Sequence, residues 1–188
     1  QDYGGFNLVV GDFTQGFWAW VSNRHPEHPH RAESTPRLHT RPLGAGVYGL
    51  SNAALDTPWP KTLALKSALA SRVAPLATEA DKLETLAVLT QALGDARPAP
   101  DALLPDTGVA PVVEQALSSA FVRVPQNRYG TRCSTVVQVG PSASTGTAPG
   151  RWQVQLDEWT HEHSRLSESA PGRVDFQARQ RRSETLVW

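Results

Sequence analysis

The fold is decided first by residues 6–22, which read FNLVVGDFTQGFWAWVS. Two runs rich in aromatic and β-branched residues, 6–10 and 17–22, flank a short linker with a glycine at each end, Gly11 and Gly16. Apolar runs joined by such a turn are typical of a β-hairpin. Apolar side chains occupy both alternating faces of the second run, so we expect the hairpin to be covered on both faces.

Two helices are predicted next, at 58–74 and 79–93. Thr57 is a suitable N-cap followed by proline at the first helical position, and Thr78 with Asp81 resembles a capping box. Apolar residues recur every three or four positions in both segments, which is typical of an amphipathic helix. The residues expected to face a sheet are Leu65, Leu69, Leu86 and Leu89, and the buried face of the second helix is expected to include Leu83 and Leu93 as well.

The rest of the chain predicts strands. These are 121–124, 132–139, 152–158 and 174–178, with an extended piece at 38–41 and a short helix around 112–119. In 152–158 the apolar residues Trp152, Val154 and Leu156 alternate with polar ones, so we expect Asp157 and its polar neighbours to lie on a wet face. The order of strands, helices and strands predicts an α+β fold with antiparallel sheets, and we interpret residues 1–188 as a single domain.

Composition excludes several classes of protein. Among 188 residues, 18 basic side chains balance 18 acidic ones, so charge gives no reason to expect nucleic acid as a partner. No apolar run approaches the roughly 18 residues of a membrane span. The single cysteine, Cys133, rules out an intrachain disulfide and a cysteine-based zinc site, and its strand position predicts a small buried thiol. Nothing requires an oxidising compartment, so a cytoplasmic protein is expected.

Histidines form two groups that we do not interpret as metal sites. His25, His28 and His30 lie within six residues, but Pro26 and Pro29 exclude the helical spacing that would bring two rings together. We therefore expect a solvated loop and no metal. His161 and His163 have the spacing of a strand face, and two ligands make an incomplete site, so a surface pair is expected.

Two positions remain as candidates for ligand chemistry. Asn52 lies between a glycine-rich turn and a helix start, where an amide can donate to an oxyanion or carbonyl, or can simply stabilise the turn. Arg132 opens a strand, where a guanidinium can grip a carboxylate or phosphate, or can form a surface ion pair. The residues by themselves leave both alternatives open.

Four segments carry a resemblance to a known family. They are YGGFNL at 3–8, GVYGLSN at 46–52, TPW at 57–59 with Lys61, and YGTR at 129–132. In this order and spacing they resemble the Asn-Arg-Asp-Glu family, also called the transport and Golgi organisation protein 2 family. The resemblance covers nearly the whole chain and is best over 3–76 and 121–139.

The resemblance implies a four-layer αββα sandwich similar to N-terminal nucleophile hydrolases. It implies that Asn52 and Arg132 are active-site residues, and that the ligand contacts lie in the same motifs, at Asn7, Tyr48, Ser51, Trp59 and Tyr129. The family begins Met-Cys and carries an Asn-Arg-Asp-Glu sequence, whereas this chain begins at Gln1, has no Met, and follows Asn23-Arg24 with His25. We therefore interpret the chain as the C-terminal two-thirds of such a protein, with its fold incomplete at the N-terminus.

Three functions follow as expectations from this resemblance. The first is a protein that binds or carries haem or an acyl-CoA-like metabolite in the hydrolase-like cleft. The second is a Cys-dependent amide or thioester hydrolase whose nucleophile lies in the missing N-terminal segment, which would then be a partner of this chain. The third is an interaction domain without a ligand. Fold analogy alone does not choose among them.

Overall fold

A computed structural model describes residues 5–25, 37–73, 78–105, 110–124, 129–142, 152–162, 168–170, 172–176 and 180–187. The chain divides into two compact units, Gln1–Ser71 with Pro98–Ser118, and Arg72–Arg97 with Ser119–Trp188. In chain order the elements are β1 (Asn7–Asp12), β2 (Phe17–Ser22), β3 (His39–Pro42), α1 (Pro60–Val73), α2 (Glu79–Leu93), a 3₁₀ turn (Asp101–Leu103), α3 (Pro111–Ala116), β4 (Arg123–Val124), β5 (Tyr129–Gly130), β6 (Cys133–Pro141), β7 (Trp152–Thr160), β8 (Glu168–Ala170), β9 (Arg173–Val174) and β10 (Gln180–Val187).

The first unit contains the predicted hairpin. β1 and β2 pair antiparallel with Val10 opposite Ala19, and β3 adds to the other side of β2. The connecting turn is held by the carboxylate of Asp12, which accepts hydrogen bonds from the backbone N–H groups of Thr14 and Gln15. Gly16 completes the turn at φ +63°, a conformation that glycine adopts without steric cost. The hairpin prediction is confirmed.

The expectation that both faces of this hairpin are covered is wrong. Ala19 and Trp20 are buried, but Leu8 is 51% exposed and Val9 and Val10 are also exposed. The order of the sheet is β1-β2-β3, so among the described residues β1 has a neighbouring strand on one side only. The side chains of an edge strand lose less water-accessible area than those of the central strand, whatever their hydrophobicity.

The two long helices are confirmed, with one shift of boundary. α2 begins at a complete capping box, in which Thr78 accepts from the N–H of Asp81 and the Asp81 carboxylate accepts from the N–H of Thr78. α1 starts two residues later than predicted, because the Thr57 hydroxyl donates to the Ala54 carbonyl and the Thr57 carbonyl accepts from Trp59.

The second unit is built on an antiparallel sheet in the order β10-β7-β6, with α2 packed on β6. Its core is one cluster of buried side chains, with Leu89 and Leu93 packed against it. The buried members are Leu86, Phe121, Val136, Trp159, Val174 and Phe176. The buried role of Leu86 is confirmed, while Leu65 and Leu69 are half-buried and Leu83 is 65% exposed, so the prediction for Leu83 is wrong.

Two predictions about strands of this sheet are also wrong. Asp157 was expected on a wet face but is 1% exposed, because β10 lies beside β7 and supplies Arg181 and Ser183 as hydrogen-bond donors to its carboxylate. Cys133 was expected to be buried but is exposed, because the buried face of β6 carries Ser134 and Val136, and Cys133 has the opposite parity. β10 itself was not predicted, since its residues are mostly polar and all exposed.

The α+β class with antiparallel sheets is confirmed, and the four-layer arrangement remains a prediction. Among the described residues, no helix combines the length and the apolar character that a bilayer-spanning segment requires.

Candidate functional site

A cavity of about 500 Å³ lies within the first unit. This volume falls in the range of small-molecule sites, roughly 300–1,000 Å³. The start of β1, the loop before α1, the first turn of α1 and the end of α3 supply its walls. The lining residues are Gly5, Phe6, Asn7, Arg24, Leu50, Ser51, Asn52, Ala53, Trp59, Lys61, Glu114 and Leu117.

A closed loop presents Ser51 and Asn52 to the cavity. Gly49 and Asp56 close it reciprocally: the Asp56 N–H donates to the Gly49 carbonyl at 2.7 Å, and the Gly49 N–H donates to the Asp56 carboxylate at 2.9 Å. Asp56 sits at φ 61°, in the left-handed region that Asp and Asn tolerate better than most residues. The ends of the loop therefore depend on one carboxylate.

Lys66 of α1 holds the same carboxylate, with its Nζ 2.5 Å from Oδ1. Burial by itself would raise the pKa of Asp56, but the hydrogen bonds from Lys66 and Gly49 outweigh it and leave that pKa below its usual value. Asp56 therefore stays ionised at neutral pH and ties the loop to the helix.

Both polar atoms of the Asn7 side-chain amide form hydrogen bonds. Its Nδ2 donates to the Ala53 carbonyl at 2.8 Å, and its Oδ1 accepts from the indole N–H of Trp20 at 3.1 Å. Asn7 thus connects β1 to β2 and to the loop that carries Asn52. Asn7 therefore positions this loop, in addition to the ligand contact that the family resemblance implies for it.

Trp59 and Lys61 form one wall of the cavity. Trp59 is 6% exposed, and the Nζ of Lys61 lies 5.0 Å from the centroid of its indole ring. The ammonium donates one hydrogen bond, to the Leu117 carbonyl at 2.6 Å. Burial lowers the pKa of Lys61 below its usual value, and no carboxylate among the described residues opposes this shift. In the part of the chain that the structure describes, this half-buried cation therefore has a carbonyl and an aromatic ring as its partners, both neutral.

The structure brings together four of the site residues predicted from sequence and leaves three elsewhere. Asn7, Ser51, Asn52 and Trp59 line the cavity. Tyr48 instead donates its hydroxyl to the Gly44 carbonyl at 3.2 Å. Tyr129 and Arg132 belong to the second unit, where both are exposed. Because Asn52 and Arg132 fall in different units, a cleft shared by the two stays a prediction.

Sequence reasoning missed the charged residues of the site. Lys61 appeared only as part of a motif, and Arg24, Asp56 and Glu114 were not singled out. The one available signal was the dipeptide Asp56-Thr57 just before a helix, which is typical of turn chemistry. Glu114 is buried at the cavity, but its helix α3 is far from α1 in sequence, so no local pattern relates it to Lys61.

The histidine groups fall mainly outside the described residues. His28, His30 and His163 lie there, while His25 packs its ring on His39 at 5.4 Å. The expected surface position is wrong for His161, which is 4% exposed and has its Nε2 3.1 Å from the Ser134 hydroxyl. In the described part of the chain, no three His, Cys, Asp or Glu side chains converge on a point that would suit a metal ion.

Replacing Asp56 tests the loop directly. Asp56→Ala removes the acceptor for Gly49 and Lys66 and places alanine in the left-handed region, so we expect the free energy of unfolding to fall by about 2 kcal/mol. Asp56→Asn keeps the backbone preference and one acceptor, so its loss should be smaller. Urea unfolding followed by tryptophan fluorescence measures both, and an alanine variant within about 0.5 kcal/mol of the parent chain would contradict the role of the carboxylate.

Comparison with known proteins agrees with the motifs at this site. The family model described as Transport and Golgi organisation 2 matches residues 1–147. The chain is 31% identical to the Transport and Golgi organization protein 2 homolog of Bos taurus over 171 residues, which cover 84% of this chain and 57% of the bovine protein. It is 32% identical to the homolog of Homo sapiens over 163 residues, which cover 84% of this chain and 54% of the human protein.

The chain thus spans about half the length of the relatives it matches. The family match includes the hairpin, the loop that carries Asn52 and the Trp59–Lys61 wall, so it extends over the whole described cavity. The resemblance noted in the sequence is confirmed, and the chain belongs to the Transport and Golgi organisation 2 family.

Proposed function

We propose that this chain binds and carries a small amphipathic metabolite with an anionic group, of the haem or acyl-CoA class, in the cavity of the first unit. The observation that carries the proposal is Lys61, a half-buried cation at the cavity wall whose partners among the described residues are a carbonyl and an aromatic ring. Buried charges in proteins are normally paired, because desolvation of an isolated ion is costly. An anionic ligand would supply the missing partner.

The rest of the lining supports an amphipathic ligand. Phe6, Leu50 and Leu117 offer apolar surface to a ring or an acyl chain. Asn52 is exposed, and its side-chain amide has no hydrogen-bond partner among the described residues, so it is available to a carbonyl or carboxylate oxygen. Apolar walls with a few polar groups are typical of metabolite sites.

The same lining favours binding over turnover. Nucleophilic catalysis requires a hydroxyl, thiol or amine next to a general base. Ser51 is the hydroxyl in the described lining, and no histidine lines the cavity with it. The thiol of Cys133 belongs to the second unit. The described lining therefore offers no hydroxyl or thiol beside a histidine base, and for this reason we favour the carrier over the hydrolase.

The proposal is tested by titrating the purified chain with haem and with palmitoyl-CoA while following tryptophan fluorescence. We expect saturable one-to-one binding, with quenching because Trp59 lies in the cavity wall. Asn52→Ala should weaken binding about fivefold, the effect of one hydrogen bond of roughly 1 kcal/mol. Gln91→Ala removes an exposed amide from α2 and should leave binding unchanged.

Turnover of amide and thioester substrates is assayed on the same preparation. Hydrolysis would favour the enzyme reading over the carrier. Absence of binding to either ligand would contradict the proposal and favour an interaction domain.

A further inference from the structure

We infer that the cavity recognises its ligand through an anionic oxygen group held by Lys61, and that a metal in the ligand adds nothing to affinity. This inference rests on the proposed function and specifies which chemical group of the ligand the site recognises. It makes Lys61 the specificity-determining residue.

The first observation is the set of side chains that line the cavity. Iron in haem proteins is held by His, Cys, Met or Tyr. None of these residue types is present in the described lining. Its one amine is the ammonium of Lys61, which has no free electron pair while protonated. A metalloporphyrin in this cavity would therefore find no customary axial ligand.

The second observation is the hydrogen-bonding capacity of Lys61. An ammonium has three N–H donors. One donates to the Leu117 carbonyl at 2.6 Å, and the indole of Trp59 lies 5.0 Å away as a neutral contact. No acceptor among the described residues is recorded for its other two donors, so these are available to an anionic oxygen of the ligand. Such a charge-assisted bond is about twice as strong as a neutral one, so it dominates selection among ligands of similar shape.

The third observation is the balance of charge around the cavity. Among the described lining residues two side chains are basic, Arg24 and Lys61, and one is acidic, Glu114, so basic side chains outnumber acidic ones. A carboxylate or phosphate gains from this field, whereas a neutral ester of the same ligand does not. Trp59, buried beside Lys61, offers a flat surface for the apolar part that carries the anion.

The experiment compares four compounds on the full chain by equilibrium titration: haem, metal-free protoporphyrin, the dimethyl ester of protoporphyrin, and palmitoyl-CoA. We expect haem and metal-free protoporphyrin to bind with affinities within threefold of each other. The dimethyl ester, which lacks carboxylates, should bind at least tenfold more weakly. Palmitoyl-CoA distinguishes a preference for its phosphates from one for the porphyrin carboxylates.

Variants connect the effect to Lys61. Lys61→Met should weaken binding of the acids about tenfold and leave the dimethyl ester unaffected. Lys61→Arg keeps the charge and should retain most of the affinity. Lys82→Met makes the same change of charge on α2, outside the lining, and should bind like the parent chain. Lys61 has no carboxylate partner among the described residues, so methionine in its place removes the desolvation cost of a half-buried cation, and the variant is expected to fold.

Several outcomes decide against the inference. Haem binding at least tenfold more tightly than metal-free protoporphyrin would show that the metal contributes, and would leave the proposed carrier function standing. Equal binding of the dimethyl ester and the acid, or an unchanged affinity in Lys61→Met, would remove the role of the anion. Failure of all four compounds to bind would overturn both the inference and the proposed function.

Discussion

Phe121→Ala is expected to lower the free energy of unfolding of the second unit by about 3–5 kcal/mol, the usual cost of emptying a fully buried aromatic site. Phe121 is 0% exposed. Its ring packs edge-on against His161 at 4.8 Å and against Phe176 at 6.3 Å. Alanine would leave a cavity between α2, β6 and the segment that carries Phe176, because all three contribute to the same core cluster.

Urea unfolding measured by tryptophan fluorescence gives this loss directly, since Trp159 belongs to the cluster. Phe17→Ala is the matched control. Phe17 is 53% exposed on β2, so the same change of side chain should cost no more than about 1 kcal/mol. Equal losses in the two variants would show that Phe121 is not the centre of the core.

Asp157→Ala is the second large effect, with an expected loss of about 1–3 kcal/mol at pH 7. The carboxylate is almost fully buried and accepts from Arg181 Nη2 at 2.7 Å and from the Ser183 hydroxyl. Its removal leaves the Ser183 hydroxyl and the guanidinium without their acceptor. Arg181 is itself 42% exposed, so water offsets part of the loss.

The same carboxylate predicts a dependence on pH. Burial by itself would raise the pKa of Asp157, but hydrogen bonds from Ser183 and Arg181 outweigh it and leave that pKa below its usual value of 3.8. Because the pKa of Asp157 is lower in the folded than in the unfolded state, the ionised carboxylate stabilises the fold at pH values above the unfolded-state pKa. This stabilisation is lost as the pH falls through the folded-state pKa. The chain should therefore lose stability below about pH 4.

The free energy of unfolding is measured for the parent chain and for Asp157→Asn at pH 7 and at pH 3. The comparison isolates the pH-dependent contribution of Asp157 to stability. The variant starts less stable and should lose less on acidification. Glu158→Gln, the next residue along β7, controls for the general effect of removing a carboxylate from the sheet. The assignment to Asp157 fails if Glu158→Gln flattens the pH dependence as much as Asp157→Asn does.

Local chemistry accounts for the parts of the fold that were predictable. The capping box at Thr78 and Asp81 involves residues three apart, and α2 runs over the range that the pattern indicates. The turn at 12–16 is likewise held by Asp12 within its own segment. Interactions of this kind are complete within a few residues, so the sequence displays both partners at once.

Burial could not be predicted in the same way. Cys133 and Leu83 each fit an apolar pattern, yet both are exposed, and Asp157 is buried although it alternates with apolar residues. The exposure of a strand residue depends on which strands lie beside it. β10, a polar segment with no apolar pattern, changed the surroundings of Asp157 by pairing with β7.

The sequence by itself determined the family, the hairpin, the two long helices and the loop that carries Asn52, because each depends on contiguous residues. Tertiary structure alone decided the candidate site. Lys61 meets the Leu117 carbonyl 56 residues away, and Asn7 meets Ala53 46 residues away. A pattern within a few consecutive residues cannot predict contacts between residues so far apart in the sequence. Only the folded chain places a cation, an indole ring and an amide around one cavity, and the desolvation of Lys61 follows from that enclosure.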